Sequence, residues 1–514
     1  MKINSFTLIG LSMSMLSACH TATEKQTAPK IIYVFPDQYR NMAMGFWNTP
    51  EFQGALNGGG DPVRTPNLNR FAQESLVLSN AMSNFPVSSP HRGCLMTGMY
   101  PHLSGVTLNC NSTNVNSSLR TDVKCLGDVF HENGYECAYI GKYHLDHPRR
   151  NDPQNPGHYV NNDQGECWDA YTEKERRHGF DYWYSYGTFD VHKNPHYWDN
   201  DGNRTDPKVW SPLHEADKAI SYLKNDANQR DKSKPFFMMV AMNPPHTPCH
   251  SLNDCMEEDY QWYKDKPVDS LLIRPNVDFS MKRAADAAYY FACVTGVDRA
   301  FGKILDCLKE EGLDKNTIVI FTSDHGETFC SQGATDPKNL PFREAMNVPF
   351  LVRYPEHIRP RVDNLIMSSP DIMPTLLGLA DLQAYIPETV QGTNYASIFT
   401  EKDSHIQRPK GALYIKYARG EFNKEGKVET SIPIARGLKT QNYTLALFVD
   451  KENKLEKTYF FNDEKDPYQL QNLPLDSHPE IVKEILDEMG RQMKEFNDPW
   501  YTNRILDDLI DYDK

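Results

Sequence analysis

Lys30-Ile31-Ile32-Tyr33-Val34-Phe35, followed at once by Pro36-Asp37-Gln38, is a short β-branched and aromatic run that stops in polar residues. An apolar run of this length predicts a buried strand whose carboxyl end carries Asp37 and Gln38. The same arrangement recurs along the chain. Residues 136–140 predict a strand running into Gly141-Lys142-Tyr143-His144, and 235–242 one that empties into Asn243-Pro244-Pro245-His246-Thr247-Pro248. Residues 317–322 predict one that delivers Ser323-Asp324-His325-Gly326-Glu327, and 348–353 one more. Helical patterns stand between them: Thr65-Pro66-Asn67 opens a helix with Thr65 as N-cap, 125–133 closes at Gly134, and 284–308 has the apolar spacing of a long helix stopped by Gly312. Strands alternating with helices imply an α/β fold with a large mixed, mainly parallel sheet sandwiched by helices. In such sheets ligands bind beyond the carboxyl ends of the strands, and four strand ends here direct polar, metal-competent groups to one edge.

After about residue 400 the texture changes. Residues 412–418, 432–438, 444–449 and 458–461 are short, closely spaced strand candidates, as in an antiparallel sheet. Ser477-His478-Pro479-Glu480 reads as a capping box that leads a helix with Ile481, Ile485, Met489 and Met493 on one face. The chain therefore divides into 1–29, an export signal and tether, 30–400, a catalytic α/β domain, and 401–514, a smaller C-terminal subdomain of antiparallel sheet plus helix. Between 151 and 206 the rhythm breaks into Asn, Asp, Tyr, Trp and His without periodicity, which marks a functional insertion.

Hydrophobic content of 39% and charged content of 24% over 514 residues are those of a soluble globular protein. A formal net charge of -14 argues against a nucleic-acid partner, so an anionic substrate would need locally clustered cations or a metal. Lys2, the apolar stretch from Phe6 to Leu16 and Leu16-Ser17-Ala18-Cys19 resemble a bacterial lipoprotein signal, with Cys19 as the lipidated N-terminus after cleavage. The expected location is the periplasm or the outer membrane of a Gram-negative bacterium, with membrane attachment through lipid alone. Eleven cysteines leave ten besides Cys19, and Cys249 with Cys255 or Cys125 with Cys137 are close enough in sequence to pair, while reduced buried thiols serve equally well.

Ser88-Ser89-Pro90-His91-Arg92-Gly93-Cys94-Leu95-Met96-Thr97-Gly98 holds a hydroxyl at a helix mouth, a candidate nucleophile. Asp37, Gln38, Asp324 and His325 offer mostly oxygen ligands and one imidazole, which favours Ca²⁺ or Mg²⁺. Around a dication, Arg92, Lys142, His144, His246 and Lys338 could supply positive charge and proton transfer. Such a ring suits sulfuryl or phosphoryl ester hydrolysis, whose transition state spreads charge onto peripheral and leaving oxygens.

Ser88-x-Pro90-x-Arg92-Gly93 with Thr97-Gly98 resembles the signature of the type I sulfatases, in the alkaline-phosphatase-like superfamily. Thr65-Pro66-Asn67-Leu68, Gly141-Lys142-Tyr143-His144, Pro244-Pro245-His246-Thr247-Pro248, Ser323-Asp324-His325-Gly326, the stretch from Asp371 to Leu376, and Asp466-Pro467 near Asn472-Leu473 are similar in the same order. The resemblance implies that Ser88 is oxidised to formylglycine by a maturation enzyme. The aldehyde hydrate would carry two hydroxyls on one carbon, one to attack sulfur and one to expel sulfate. It further implies that Asp37, Gln38, Asp324, His325 and the modified Ser88 hold Ca²⁺, that Arg92 orients the turn, and that Lys142 and His144 polarise the hydrate. Lys338 would clamp sulfate oxygens and His246 would protonate the leaving oxygen. Many relatives have a second Asp where Gln38 stands and an Asn where His325 stands. The expected substrate is a sulfated glycan, desulfated in exo fashion at a galactose or N-acetylhexosamine, with His178, Asp190, His192 and Arg436 as sugar contacts. The alternatives are a phosphodiesterase or phosphonate hydrolase on the same fold, or an unconverted glycan-binding protein.

Overall fold

Lys30–Val34 lies near the middle of a ten-stranded sheet, hydrogen-bonded in parallel to Phe236–Ala241 on one side and Thr317–Thr322 on the other. The computed structural model describes residues 28–148, 155–401 and 405–510, so the export segment up to residue 27 and Cys19 lie outside the described residues. In chain order the strands are β1 (Lys30–Val34), β2 (Leu76–Leu78), β3 (Glu136–Lys142), β4 (Tyr159–Asn161), β5 (Cys167–Ala170), β6 (Tyr182–Tyr186), β7 (Tyr197–Trp198) and β8 (Arg204–Thr205). They continue as β9 (Phe236–Ala241), β10 (Thr317–Thr322), β11 (Phe350–Arg353), β12 (Arg361–Asp363), β13 (Gly411–Arg419), β14 (Ser431–Thr440), β15 (Tyr443–Val449) and β16 (Leu455–Asn462). The main sheet runs β12-β2-β11-β10-β1-β9-β3-β6-β7-β8, and its five central strands from β10 to β6 are parallel.

The central strands lack alternation because both faces are covered. Ile32 and Val34 pack with the long helix Ala287–Glu310 in one core, and Ile31 and Tyr33 join the helix Ile372–Leu379 in the other. Burial on both faces is the usual state of a parallel sheet. All five carboxyl ends then open on one edge. At that edge Gly141, at φ +96°, lets β3 press against β9, since a Cβ there would lie 2.1 Å from the Ala241 carbonyl oxygen.

Several local expectations change. The aromatic stretch expected to be an irregular insertion contributes β6 to the main sheet, in register from Ala138↔Tyr182 to Lys142↔Tyr186. Its Tyr and Trp residues pack where Val and Ile usually stand, which hid the strand pattern. Thr65 is the N-cap of Pro66–Gln73, but Asp298 from the long helix accepts the Asn67 and Leu68 amides in its place. Ser477 does not cap the last long helix. His478 is the N-cap of Pro479–Glu495 and Pro479 takes its first position, which leaves Ser477 closing the preceding turn onto Pro474 O. The ten described cysteines are all buried and free. Cys125 Sγ faces Val123 O, Cys137 Sγ faces Gly127 O, and Cys249 Sγ sits 3.5 Å from Cys293, so neither sequence-adjacent pair is joined.

The strands β13-β14-β15-β16 form the separate antiparallel sheet, whose inner face shares a core with Val482, Ile485, Met489 and Met493 of the helix Pro479–Glu495 and with Phe85 and Val87. Those last two residues lead directly into Ser88. Asn84 Nδ2 donates to Leu413 O, and Tyr414 Oη and Lys416 Nζ both donate to Asn339 O. The smaller sheet therefore fixes the approach to Ser88 and the segment next to Lys338.

Candidate active site

The ends of β1 and β10 are stitched together before any side chain reaches into the cleft. Ser323 Oγ donates to Pro36 O at 2.8 Å, and the Gln38 amide donates to Asp324 Oδ1 at 3.1 Å. Asp37 and Asp324 thus stand side by side, both fully buried. His325 Nδ1 lies 2.9 Å from Gly326 O, which places the ring proton there and leaves Nε2 bare. That nitrogen lies 3.3 Å from Asp37 Oδ1 and 3.1 Å from Ser88 Oγ. Ser88 opens the helix Ser88–Thr97, and its hydroxyl donates to Asp37 Oδ1 at 3.2 Å.

One carboxylate oxygen each from Asp37 and Asp324 and the bare nitrogen of His325 all lie within 4.8 Å of one another. Two carboxylates, an imidazole held in its ligating tautomer and an adjacent hydroxyl suit a dication with hard oxygen ligands. The other carboxylate oxygens are taken by cations. Arg92 reaches Asp324 Oδ2 through Nε (3.2 Å) and one terminal nitrogen (3.1 Å), reaches Asp37 Oδ2 at 3.2 Å, and donates to Lys142 O at 2.6 Å. Lys142 Nζ lies 2.8 Å from Asp37 Oδ2. Burial alone would raise the Asp37 pKa, but the positive charge around it, that of Lys142 foremost, holds it well below the usual carboxylate range. Burial alone would lower that of Arg92, but Asp324, Tyr139 and Asp37 together outweigh it and the guanidinium stays charged.

A second row of groups faces this one. Lys338 Nζ sits between Gln38 Oε1 at 3.2 Å and His246 Nε2 at 2.9 Å. His246 Nδ1 lies 2.7 Å from Thr247 O and 3.3 Å from Asp190 Oδ1. Burial, then Lys338, pulls the His246 pKa down, with Asp190 opposing. Burial, then Lys142 and Arg92, pulls that of His144 well below its usual value, and neither of its ring nitrogens has a hydrogen-bond partner among the described residues. Burial also lowers Lys338. A pocket of three cations, two neutral imidazoles and two shielded carboxylates is built to receive an anion.

Every residue expected in the catalytic core and metal group, namely Asp37, Gln38, Ser88, Arg92, Lys142, His144, His246, Asp324, His325 and Lys338, lies at this edge. The expected sugar contacts divide. Asp190, its side chain 39% exposed, lies at the rim beside His246. His192 is buried behind His246, with Nε2 2.9 Å from its carbonyl oxygen, so it supports that loop. His178 precedes β6 and so lies at the opposite, amino edge of the sheet, where Nδ1 approaches Asp128 Oδ2 at 3.3 Å. Arg436 is buried in β14 and paired with Asp498 at 2.9 Å. Strand alternation says that a residue faces one side but not what covers that side, and here it is the C-terminal helical segment. Asn243 and Glu327 were missed. Asn243 joins Lys142 Nζ to Asp190 Oδ1, and Glu327 accepts from Gln38 Nε2. Asn243 stands directly after a predicted strand and Glu327 closes the polar run that follows another, the signal that singled out their neighbours.

The helix that Ser88 opens also carries a buried pH dependence. His91 Nδ1 lies 3.0 Å from both Ser83 Oγ and Ser369 Oγ, and burial lowers its pKa from 6.5 to about 3. The folded protein therefore holds it neutral while the unfolded chain protonates, so stability is lost as pH falls from 6.5 toward about 3, by about 4–5 kcal/mol in full. His91→Gln removes this term. The stability gap between parent and variant in urea unfolding is expected to narrow by about 2–3 kcal/mol between about pH 7 and about pH 4.5.

Residues 29–382 match the sulfatase family, and residues 333–498 match the C-terminal region described for N-sulphoglucosamine sulphohydrolase. An endo-4-O-sulfatase of Bacteroides thetaiotaomicron is 60% identical over 98% of this chain and 100% of its own length. An ulvan-active sulfatase of Formosa agariphila is 32% identical over 97% of this chain and 89% of its own. A solved structure reported with the metabolism of multiple glycosaminoglycans by Bacteroides thetaiotaomicron superposes with a TM-score of 0.92 at 62% identity, covering 94% of this chain and all of that one. The edge-clustered site, the mixed sheet of the alkaline-phosphatase-like fold and these full-length matches agree: the chain belongs to the sulfatase family and is a sulfuric ester hydrolase.

Proposed function

We propose that the protein removes a 4-O-sulfate from within a sulfated glycan chain of the glycosaminoglycan class, after Ser88 has been matured to formylglycine. The position of the bond rests on the full-length 60% identity to an endo-4-O-sulfatase, which favours internal action over the exo action expected above. Asp190 at the pocket rim, half-exposed beside His246, suits a sugar hydroxyl next to the leaving oxygen. Asp37, Gln38, Asp324, His325 and residue 88 would hold Ca²⁺, whose charge draws in the sulfate group and favours an ionised nucleophile. The matured residue supplies two hydroxyls on one carbon, so that neither attack on sulfur nor later release of sulfate needs a second water.

The remaining residues divide the work. Arg92 and Lys142 neutralise the outer carboxylate oxygens of Asp37 and Asp324 and leave the inner ones to the ion. Lys338 keeps an N–H free for a sulfate oxygen. His144, with bare ring nitrogens in the field of Lys142 and Arg92, can bond the hydroxyls at residue 88, and His246 can hand a proton to the departing sugar oxygen. The export segment and Cys19 would place this body outside the cytoplasm on a lipid anchor. The test is sulfate release from size-defined glycosaminoglycan oligosaccharides sulfated at known positions, using protein co-produced with a maturation enzyme. Loss of internal 4-O-sulfate from long chains is expected. Release confined to chain ends, or to 6-O positions, would overturn the assignment.

A further inference from the structure

Gln38 is the residue at which this site departs from the two-aspartate pattern, and its surroundings give the departure a reason. The two ends of a carboxamide are alike in size and differ in polarity, so the partners decide which end faces where. On one side lies Glu327, fully buried, with Oε1 accepting from Arg283 at 2.9 Å and from the Phe329 amide at 2.8 Å, and Oε2 accepting from Arg283 at 2.8 Å. Both its oxygens can only accept. Gln38 must therefore present Nε2 to Glu327, as observed, which turns Oε1 toward Lys338 Nζ at 3.2 Å. A flipped amide would set oxygen against carboxylate and NH₂ against ammonium in a buried place. An acid at position 38 would set two buried carboxylates together, and the neutral amide avoids this.

We infer that Glu327 is a positioning residue for the sulfatase reaction, which fixes the direction of the Gln38 carboxamide and thereby holds the Lys338 ammonium between Gln38 and His246. This rests on the site reading given under the proposed function. Lys338 has three N–H bonds; Gln38 Oε1 and His246 Nε2 take two, and the third is left for a sulfate oxygen. Arg283 completes the relay, since it holds both oxygens of Glu327 and stacks over Phe329 at 4.9 Å.

The test measures binding of inorganic sulfate and of Ca²⁺ by calorimetry, and steady-state kinetics on a sulfated oligosaccharide, for the parent, Glu327→Gln, Gln38→Met and the swap Glu327→Gln with Gln38→Glu. In Glu327→Gln the new amide can donate or accept, so Gln38 is free to turn. With Ca²⁺ held at saturation, sulfate affinity and kcat/KM should each fall about tenfold, and Ca²⁺ affinity should fall less than sulfate affinity, because Asp37, Asp324 and His325 are untouched and only Gln38 among the residues that would hold the ion is freed. The swap restores a donor facing an acceptor, with an acceptor toward Lys338, and should bring sulfate affinity back to within about threefold of the parent. Gln38→Met should lose sulfate affinity as Glu327→Gln does, which keeps the idea testable if that variant folds poorly. Parent-like sulfate affinity in Glu327→Gln or in Gln38→Met, a loss of sulfate affinity in Glu327→Gln that saturating Ca²⁺ restores in full, or a swap as weak as Glu327→Gln would each overturn it. A parent that binds both ions yet releases no sulfate from any glycan would count against the proposed substrate instead.

Discussion

Ser88→Ala is expected to abolish sulfate release, by a factor of about 10⁴ or more, while the protein still folds and its melting temperature moves little. The hydroxyl lost is small, and its partners Asp37 Oδ1 and His325 Nε2 remain fixed by Arg92, Lys142 and the Gly326 carbonyl. The chemistry, in contrast, has no substitute. Ser89, next on the helix, spends its hydroxyl on His144 O at 2.7 Å and on the Cys110 amide, and so cannot turn into the cleft. The comparison that counts is with parent protein whose Ser88 peptide is lighter by two hydrogens on mass spectrometry. Equal turnover by matured parent and Ser88→Ala would remove residue 88 from the reaction. Full activity in a parent whose Ser88 is unmodified would remove formylglycine from it.

The strand ends were legible because buried parallel strands have a sharp signature. A run such as 317–322 followed by Ser-Asp-His-Gly fixes where the chain stops being apolar, and the sheet brings those stops to one edge. Asp37, Lys142, His246 and Asp324 could therefore be grouped without any contact being known. What failed depended on the far side of an element. Arg436 is one polar residue in an antiparallel strand, and only tertiary packing reveals that Asp498 lies against it. His178 precedes a strand written in Tyr and Trp, so its place at the amino edge was hidden along with β6. Asp190 and His192, expected as sugar contacts, lie near the site, but their partners are His246 and its carbonyl oxygen, a relation between loops that spacing cannot encode. Glu327 stood inside a quoted motif, yet its part depends on Arg283 and Gln38, both remote in sequence.

His246→Ala is expected to lower kcat/KM about 10³-fold on sugar sulfates and less than about tenfold on aryl sulfates with acidic phenols. A sugar alkoxide is a poor leaving group and needs a proton as the S–O bond breaks, whereas a nitrophenolate leaves without one. The geometry assigns the donor atom. Nδ1 of His246 is engaged by Thr247 O, so any proton passed toward the cleft travels through Nε2, the nitrogen that faces Lys338. Burial and Lys338 hold the imidazole pKa below 6.5, which means the free enzyme carries His246 mostly neutral at neutral pH. For sugar sulfates kcat/KM should then fall as pH rises through a value below 6.5, while aryl sulfates show no such limb. In His246→Ala the limb should vanish for sugar sulfates. Asp190, which pulls the other way more strongly than Asp37 and lies 3.3 Å from the ring, gives an internal control, since Asp190→Asn should shift the limb of the parent further toward acid. An equal loss on both substrate classes would mean that His246 binds sulfate and does not deliver a proton, and Lys338, which shares its Nε2, would then be the remaining group placed to protonate the leaving oxygen.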